Sequence, residues 1–145
     1  MDLYARVKQI NEAEYAINRL IFKQYKKALA SQLTTQQAVL LDIVYAAGKI
    51  TVGELALEMD ISSSAVSQLI AKLEKNGYVH RSVNPDNRRE VFITLGPQGL
   101  EYFDKQEQVQ RAVAERLYAK LTQAELGDLE RITAKLMKIA QEEFR

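Results

Sequence analysis

The sequence predicts a mainly α-helical fold with a small β hairpin set into it. Three observations carry that expectation. Apolar residues recur every three or four positions through long stretches at both ends of the chain. Gly and Pro, which would interrupt such stretches, are scarce there. One segment, "YVHRSVNPDNRREVFITL", switches instead to β-rich composition on either side of a turn.

Each element can be justified in order. Residues 3 to about 30 place Leu3, Val7, Ile10, Ile17, Leu20 and Ile21 at helical spacing, with no Gly or Pro. Such a helix is about 40 Å long, more than a small domain needs to cover its own core, and is expected to find a partner. Three short helices follow. Thr34 with Gln37, and Thr51 with Glu54, fit the capping box, in which two side chains satisfy each other's free backbone N–H groups. The first short helix runs through "QQAVLLDIVYAA" to Gly48, a natural C-terminal stop. The second, "GELALEM", ends near Asp60, and the third runs from the Ser62–Ser64 run to Gly77. Strands "YVHRSV" and "EVFITL" then flank the turn, with Val91, Ile93 and Leu95 on one face. Gly96–Pro97 closes the second strand, and Pro97 suits the first turn of a helix reaching about Leu121. Thr122 and Glu125 form a third capping box. The last helix carries Leu126, Leu129, Ile132, Leu136, Ile139 and Ala140 near the 3.5-residue period that favours packing along another helix. Three helices followed by a two-stranded hairpin outline a winged helix–turn–helix, so the expected class is mainly α with a small β wing.

Composition excludes several kinds of function. The chain has 145 residues and no cysteine, which removes disulfides, thiolate catalysis and thiol redox sensing together. His80 is the single histidine and is read as structural or solvent-facing, so no metal site is expected. No GxSxG, P-loop, HExxH or dinucleotide fingerprint occurs, and neither an enzyme nor a cofactor is expected. The apolar run "AVLLDIVYAA" is broken by Asp42 and is too short to cross a bilayer; no membrane association and a cytoplasmic location are expected. The net charge of +1 conceals a pattern: residues 1–30 sum to +3, 31–61 to −3, and 62–89 to +3.

That last basic stretch contains the most informative helix. Val66, Leu69, Ile70 and Leu73 share one side of a helical wheel, leaving Ser64, Gln68, Ala71, Lys72 and Lys75 on the other. Small side chains let a helix enter a DNA major groove about 12 Å wide, and glutamine can pair bidentately with adenine. In a helix–turn–helix the N-terminal residues of the second helix reach the bases, here Ser62, Ser63, Ser64, Ser67 and Gln68. Lys72 and Lys75 are placed for flanking phosphates. A serine run can equally be a simple N-cap, and outer lysines can be merely solvated. The short preceding helix, the tight "MDIS" connection and the adjacent arginines of "NPDNRREV" favour contact with nucleic acid.

On "LTTQQAVLL", "TVGELALEMDISSSAVSQLIAKLEKNGYVHR" and "PDNRREVFITLGPQG", the chain resembles the MarR family of bacterial regulators along essentially its whole length. The resemblance implies a single domain over 1–145, with a winged helix–turn–helix DNA-binding lobe (32–97) and a helical dimerisation lobe formed by both termini (1–31 and 98–145). It implies a homodimer on a pseudo-palindromic double-stranded operator, with the helix at 62–75 in the major groove and the hairpin as a wing in the minor groove. Carried over, Arg88 is the minor-groove residue, Asp86 orients the wing or that arginine, and Arg89 binds phosphate. Gly96 departs from the family pattern, where threonine is common, and is expected to alter the following helix cap only.

The expected function is a repressor released by a non-covalently bound small molecule, aromatic or anionic. Tyr15, Phe22 and Tyr45 are candidates to line the effector pocket, the alternative being that they are ordinary core residues. A winged-helix module that binds only another protein is the competing reading, and duplex binding that weakens steeply with salt separates the two.

Overall fold

Asp2 opens the first helix, its carboxylate accepting the Ala5 N–H at 2.7 Å. In the computed structural model, which describes residues 1–145, this helix (α1) spans Leu3–Gln24. It stops short of residue 30: Tyr25 leaves helical geometry and a single turn, α2 (Lys26–Leu29), follows. The chain passes there from one of its two compact units to the other. No Gly or Pro marks the break, so periodicity alone could not show it.

The first unit comprises residues 26–106. It contains α3 (Thr35–Ala47), β1 (Ile50–Thr51), α4 (Val52–Met59), α5 (Ser63–Lys75), β2 (Val79–Asn84), β3 (Asn87–Leu95) and the start of α6 (Pro97–Arg116). The Thr34 capping box closes from both sides. At Thr51 only half forms: its hydroxyl accepts the Glu54 N–H at 3.1 Å, while its backbone lies in β1 opposite Phe92. That two-residue strand extends the expected hairpin to three antiparallel strands in the order β1-β3-β2. The core joins Leu40, Leu41 and Val44 of α3, Leu55 of α4, and Val66, Ile70 and Leu73 of α5 to Ile50, Val79 and Ile93 of the sheet. The inward face expected for the 62–75 helix is therefore the buried one, with Leu69 packed at its margin. Leu40 and Ile70 are fully buried, so truncating either to alanine removes roughly 2–5 kcal/mol.

The second unit comprises residues 1–25 and 107–145. It holds α1, the end of α6, a 3-10 turn at Tyr118–Lys120 and α7 (Gln123–Glu143). The Thr122 capping box closes fully and starts α7. No residue of α1 or α7 is buried. Leu3, Ile10 and Leu20 on α1, and Leu136 and Met137 on α7, are each more than half exposed. No helix is long and apolar enough to cross a membrane.

Candidate nucleic-acid interface

The turn between α4 and α5 is three residues long because Asp60 accepts left-handed geometry (φ 52°, ψ 46°). Asparagine and aspartate tolerate that region better than other side chains. The turn also lets the Ile61 N–H reach back to the Ala56 carbonyl at 3.2 Å, closing the end of α4. Ser62 then caps α5, its hydroxyl accepting the Ala65 N–H at 3.1 Å. That hydroxyl serves the helix start, whereas Ser63, Ser64, Ser67, Gln68, Ala71, Lys72 and Lys75 are exposed along one side of α5. Glu74 is the helix's one carboxylate and faces Arg81 of β2 at 3.6 Å. Lys72 and Lys75 have no acidic partner and border a hollow with Gln32, Leu33, Gln37 and Asn76. The outer face is thus small, polar and net positive.

The wing departs from a regular hairpin. From Val79↔Leu95 to Val83↔Val91 the strands keep one register; then Asn84 pairs with Asn87. Arg88, Arg89 and Glu90 consequently have no residue opposite them on β2. The two arginines stand in a bulge on β3, behind a tip made by Pro85 and Asp86, and not at the tip itself. Bulges increase local twist and re-aim side chains. Asn84 ties both the tip and the bulge: its side-chain oxygen accepts the Asp86 N–H at 3.0 Å and its side-chain NH2 donates to the Glu90 carboxylate at 2.8 Å. Asn87 adds a third tie by accepting the Arg89 N–H at 3.2 Å. The Asp86 side chain makes no ion pair with either arginine. Both guanidinium groups are exposed and without an ion-pair partner.

Between helix and wing lies a polar hollow of about 470 Å³. It is lined by Ser67 of α5, by Thr51–Gly53, and by Arg81, Asn87, Arg89, Glu90 and Val91 of the wing. Arg88 stands outside it. Sequence reasoning missed Asn84, Glu90 and Arg81. The "NPD" pattern signals an Asx turn and could have pointed to Asn84; the Glu90 contact depends on the bulge and left no local signature.

The aromatic candidates belong to different units. Tyr15 and Phe22 belong to the helical unit, at 69% and 53% exposure, and Tyr45 to the sheet-bearing one, at 54%. None is a buried core residue. Tyr45 stacks on Phe103 with ring centres 4.2 Å apart. The helical unit does contain an apolar cavity of about 340 Å³, lined by Ile17, Leu20, Ile21 and Val113, among others. At its edge Arg116 donates to the Tyr25 hydroxyl at 3.1 Å. Neither Tyr15 nor Phe22 lines it. No group of three His, Asp or Glu is placed to hold a metal ion.

Residues 33–91 match the model of the MarR family. The uncharacterized HTH-type transcriptional regulator YsmB of Bacillus subtilis (strain 168) is 30% identical over 118 residues, covering 80% of this chain and 81% of that one. A second regulator from the same organism, the uncharacterized YhbI, is 28% identical over 135 residues, with 90% and 88% covered. Among solved structures, Streptococcus pneumoniae FabT in complex with DNA superposes with a TM-score of 0.73 at 18% identity, covering 94% of this chain and 98% of that one. That likeness establishes the winged-helix fold. YsmB and YhbI are HTH-type transcriptional regulators, and the chain belongs to the MarR family.

Proposed function

We propose that this chain is a homodimeric repressor that binds a pseudo-palindromic operator in double-stranded DNA. The observation that carries this reading is the outer face of α5: exposed serines, Gln68 and two unpaired lysines, with its one carboxylate neutralised by Arg81. The FabT complex, in the same fold, shows a member of this architecture on DNA. Ser63, Ser64, Ser67 and Gln68 face base edges in the major groove, and Ser62 caps the helix that presents them. Lys72 and Lys75 lie on flanking phosphates. The wing enters the adjacent minor groove. Arg88, outside the helix–wing hollow, is assigned to the groove, and Arg89, lining that hollow beside Ser67, to the backbone phosphate it would admit. Asp86 acts through the tip turn, where its N–H is held by Asn84.

Dimerisation is supported by the apolar rows of α1 and α7, which the single chain leaves uncovered. Contiguous apolar surface of that kind marks an interface, and a two-fold pair would read half-sites about 10–10.5 base pairs apart. The working lobes are 32–97 for DNA and 1–31 with 98–145 for pairing, in the cytoplasm where the DNA is. Release by a small aromatic anion is supported by the apolar cavity edged by Arg116 and Tyr25, a chemistry that suits a flat apolar body with a carboxylate. Tyr15 and Phe22 of the helical unit and Tyr45 of the sheet-bearing one are kept as candidate effector contacts outside that cavity.

The test is in-vitro selection from a randomised duplex pool, followed by affinities at several salt concentrations. Arg88→Ala lowers affinity by about 1–3 kcal/mol and relaxes preference at the flanking A·T pairs. Arg89→Ala weakens all duplexes alike and flattens the salt slope. Gln68→Ala changes preference within the half-site. If Arg89→Ala is the variant that loses flank preference, the two arginine roles exchange. Failure to enrich any duplex would sink the DNA reading.

A further inference from the structure

We infer that Asn84 is the positioning residue of the wing, setting where Arg88 and Arg89 stand although it makes no contact with DNA itself. The inference rests on the proposed DNA-binding role and deepens it. The register jump leaves Arg88, Arg89 and Glu90 without cross-strand partners, so the ladder does not hold them. Asn84 supplies two of the side-chain ties in their place. It binds the Asp86 N–H on the tip side and the Glu90 carboxylate on the strand side, spanning the bulge with one amide. Asn84 and Glu90 are half-buried, in contrast to the exposed tip around them. A hydrogen bond to a charged acceptor in partial shelter from water is stronger than an exposed neutral one. The Glu90 carboxylate also shares the hollow with Arg81 and Arg89, so its anchoring fixes a negative charge beside the helix–wing hollow.

The carboxamide at position 84 does both jobs from two separate atoms, accepting on one side and donating on the other, which a carboxylate cannot do. This gives a test by exchange of donor and acceptor. Asn84→Ala removes both ties. Asn84→Asp keeps the turn bond but sets one carboxylate against another. Adding Glu90→Gln to Asn84→Asp restores a donor across the bulge and returns the net charge to that of the wild type. Each full-length variant is measured two ways. Amide hydrogen exchange over residues 84–91 is followed without DNA. Affinity is measured for a duplex selected by the wild-type protein and for a copy whose flanking A·T pairs are changed to G·C.

Asn84→Ala is expected to exchange faster at Asp86 and through the bulge, and Asn84→Asp faster through the bulge but not at Asp86; both lose about three- to tenfold in the ratio between the two duplexes. The double variant recovers most of both. A purely electrostatic effect of the new carboxylate would lower affinity for both duplexes equally and leave exchange unchanged, which would overturn the inference. Faster exchange with an unchanged duplex ratio would overturn it too. A wild-type protein that selects no duplex would sink the DNA reading, and with it Asn84's role in binding, while the exchange data still decide whether Asn84 orders the bulge.

Discussion

Replacing Gly96 by alanine probes a close backbone approach in the sheet-bearing unit. Gly96 sits where β3 ends and α6 begins, against the turn that joins α5 to β2. Its N–H donates to the Tyr78 carbonyl at 2.9 Å, and the Gln98 N–H donates to the Gly77 carbonyl at 3.0 Å. A Cβ at position 96 would overlap the Gly77 carbonyl oxygen and come within 3.1 Å of its carbon and 3.3 Å of the Val79 nitrogen. These are backbone atoms and cannot swing aside. Gly77 is itself in left-handed geometry (φ 78°), which restricts how the turn can retreat. Overpacking of this kind costs about 1–3 kcal/mol, and losing the Gln98 hydrogen bond adds about 1 kcal/mol. Alanine gives back roughly 0.4–1 kcal/mol by restricting the unfolded chain. The net is a loss of about 1–3.6 kcal/mol, which at about 3 °C per kcal/mol for a chain of this length lowers Tm by about 3–11 °C. Gly96→Thr, carrying the residue common at this place in the family, should cost at least as much. Thermal unfolding followed by circular dichroism gives the answer. A Gly96→Ala variant melting within a degree of wild type would show that α6 is not held against Gly77, and the explanation would fail. Gly96 is therefore explained by close approach, beyond any effect on the helix cap.

Gly127→Ala should move Tm the other way by a few degrees, because nothing lies within 4 Å of the added Cβ and alanine is favoured inside a helix by about 0.5–1 kcal/mol. Leu136→Glu, on a residue 60% exposed in the single chain, should leave helix content unchanged while shifting sedimentation from dimer to monomer; an unaltered dimer would remove α7 from the interface. Glu125 is held below its ordinary pKa by its backbone and side-chain hydrogen bonds with Thr122. Its contribution is therefore present above the unfolded pKa and is lost as pH falls through the lower folded value. Glu125→Gln keeps an acceptor without titrating, so its stability gap to wild type should close toward acid pH; a gap constant across pH would refute the assignment.

Local chemistry settled much of this molecule. The helix starts at Thr34, Thr51, Ser62 and Thr122 depend on side chains within three residues of the bonds they make, so the sequence displays them. The inward row of Val66, Ile70 and Leu73 follows from helical period, and with it the exposed serines, Gln68 and lysines on the opposite side. Features that join distant residues were decided only by the tertiary structure. The break at Tyr25 has no local breaker. Strand β1 is two residues long and exists because Ile93 and Phe92 lie beside it. The arginines look like a hairpin tip in sequence, since counting residues cannot show a register jump; the Asn84–Glu90 hydrogen bond spans it across six positions. Gly96 is legible as a turn residue, but its reason is a carbonyl nineteen residues earlier, at Gly77. Short-range hydrogen bonds and periodicity are written in neighbouring residues, whereas register and close approach arise when separate elements meet.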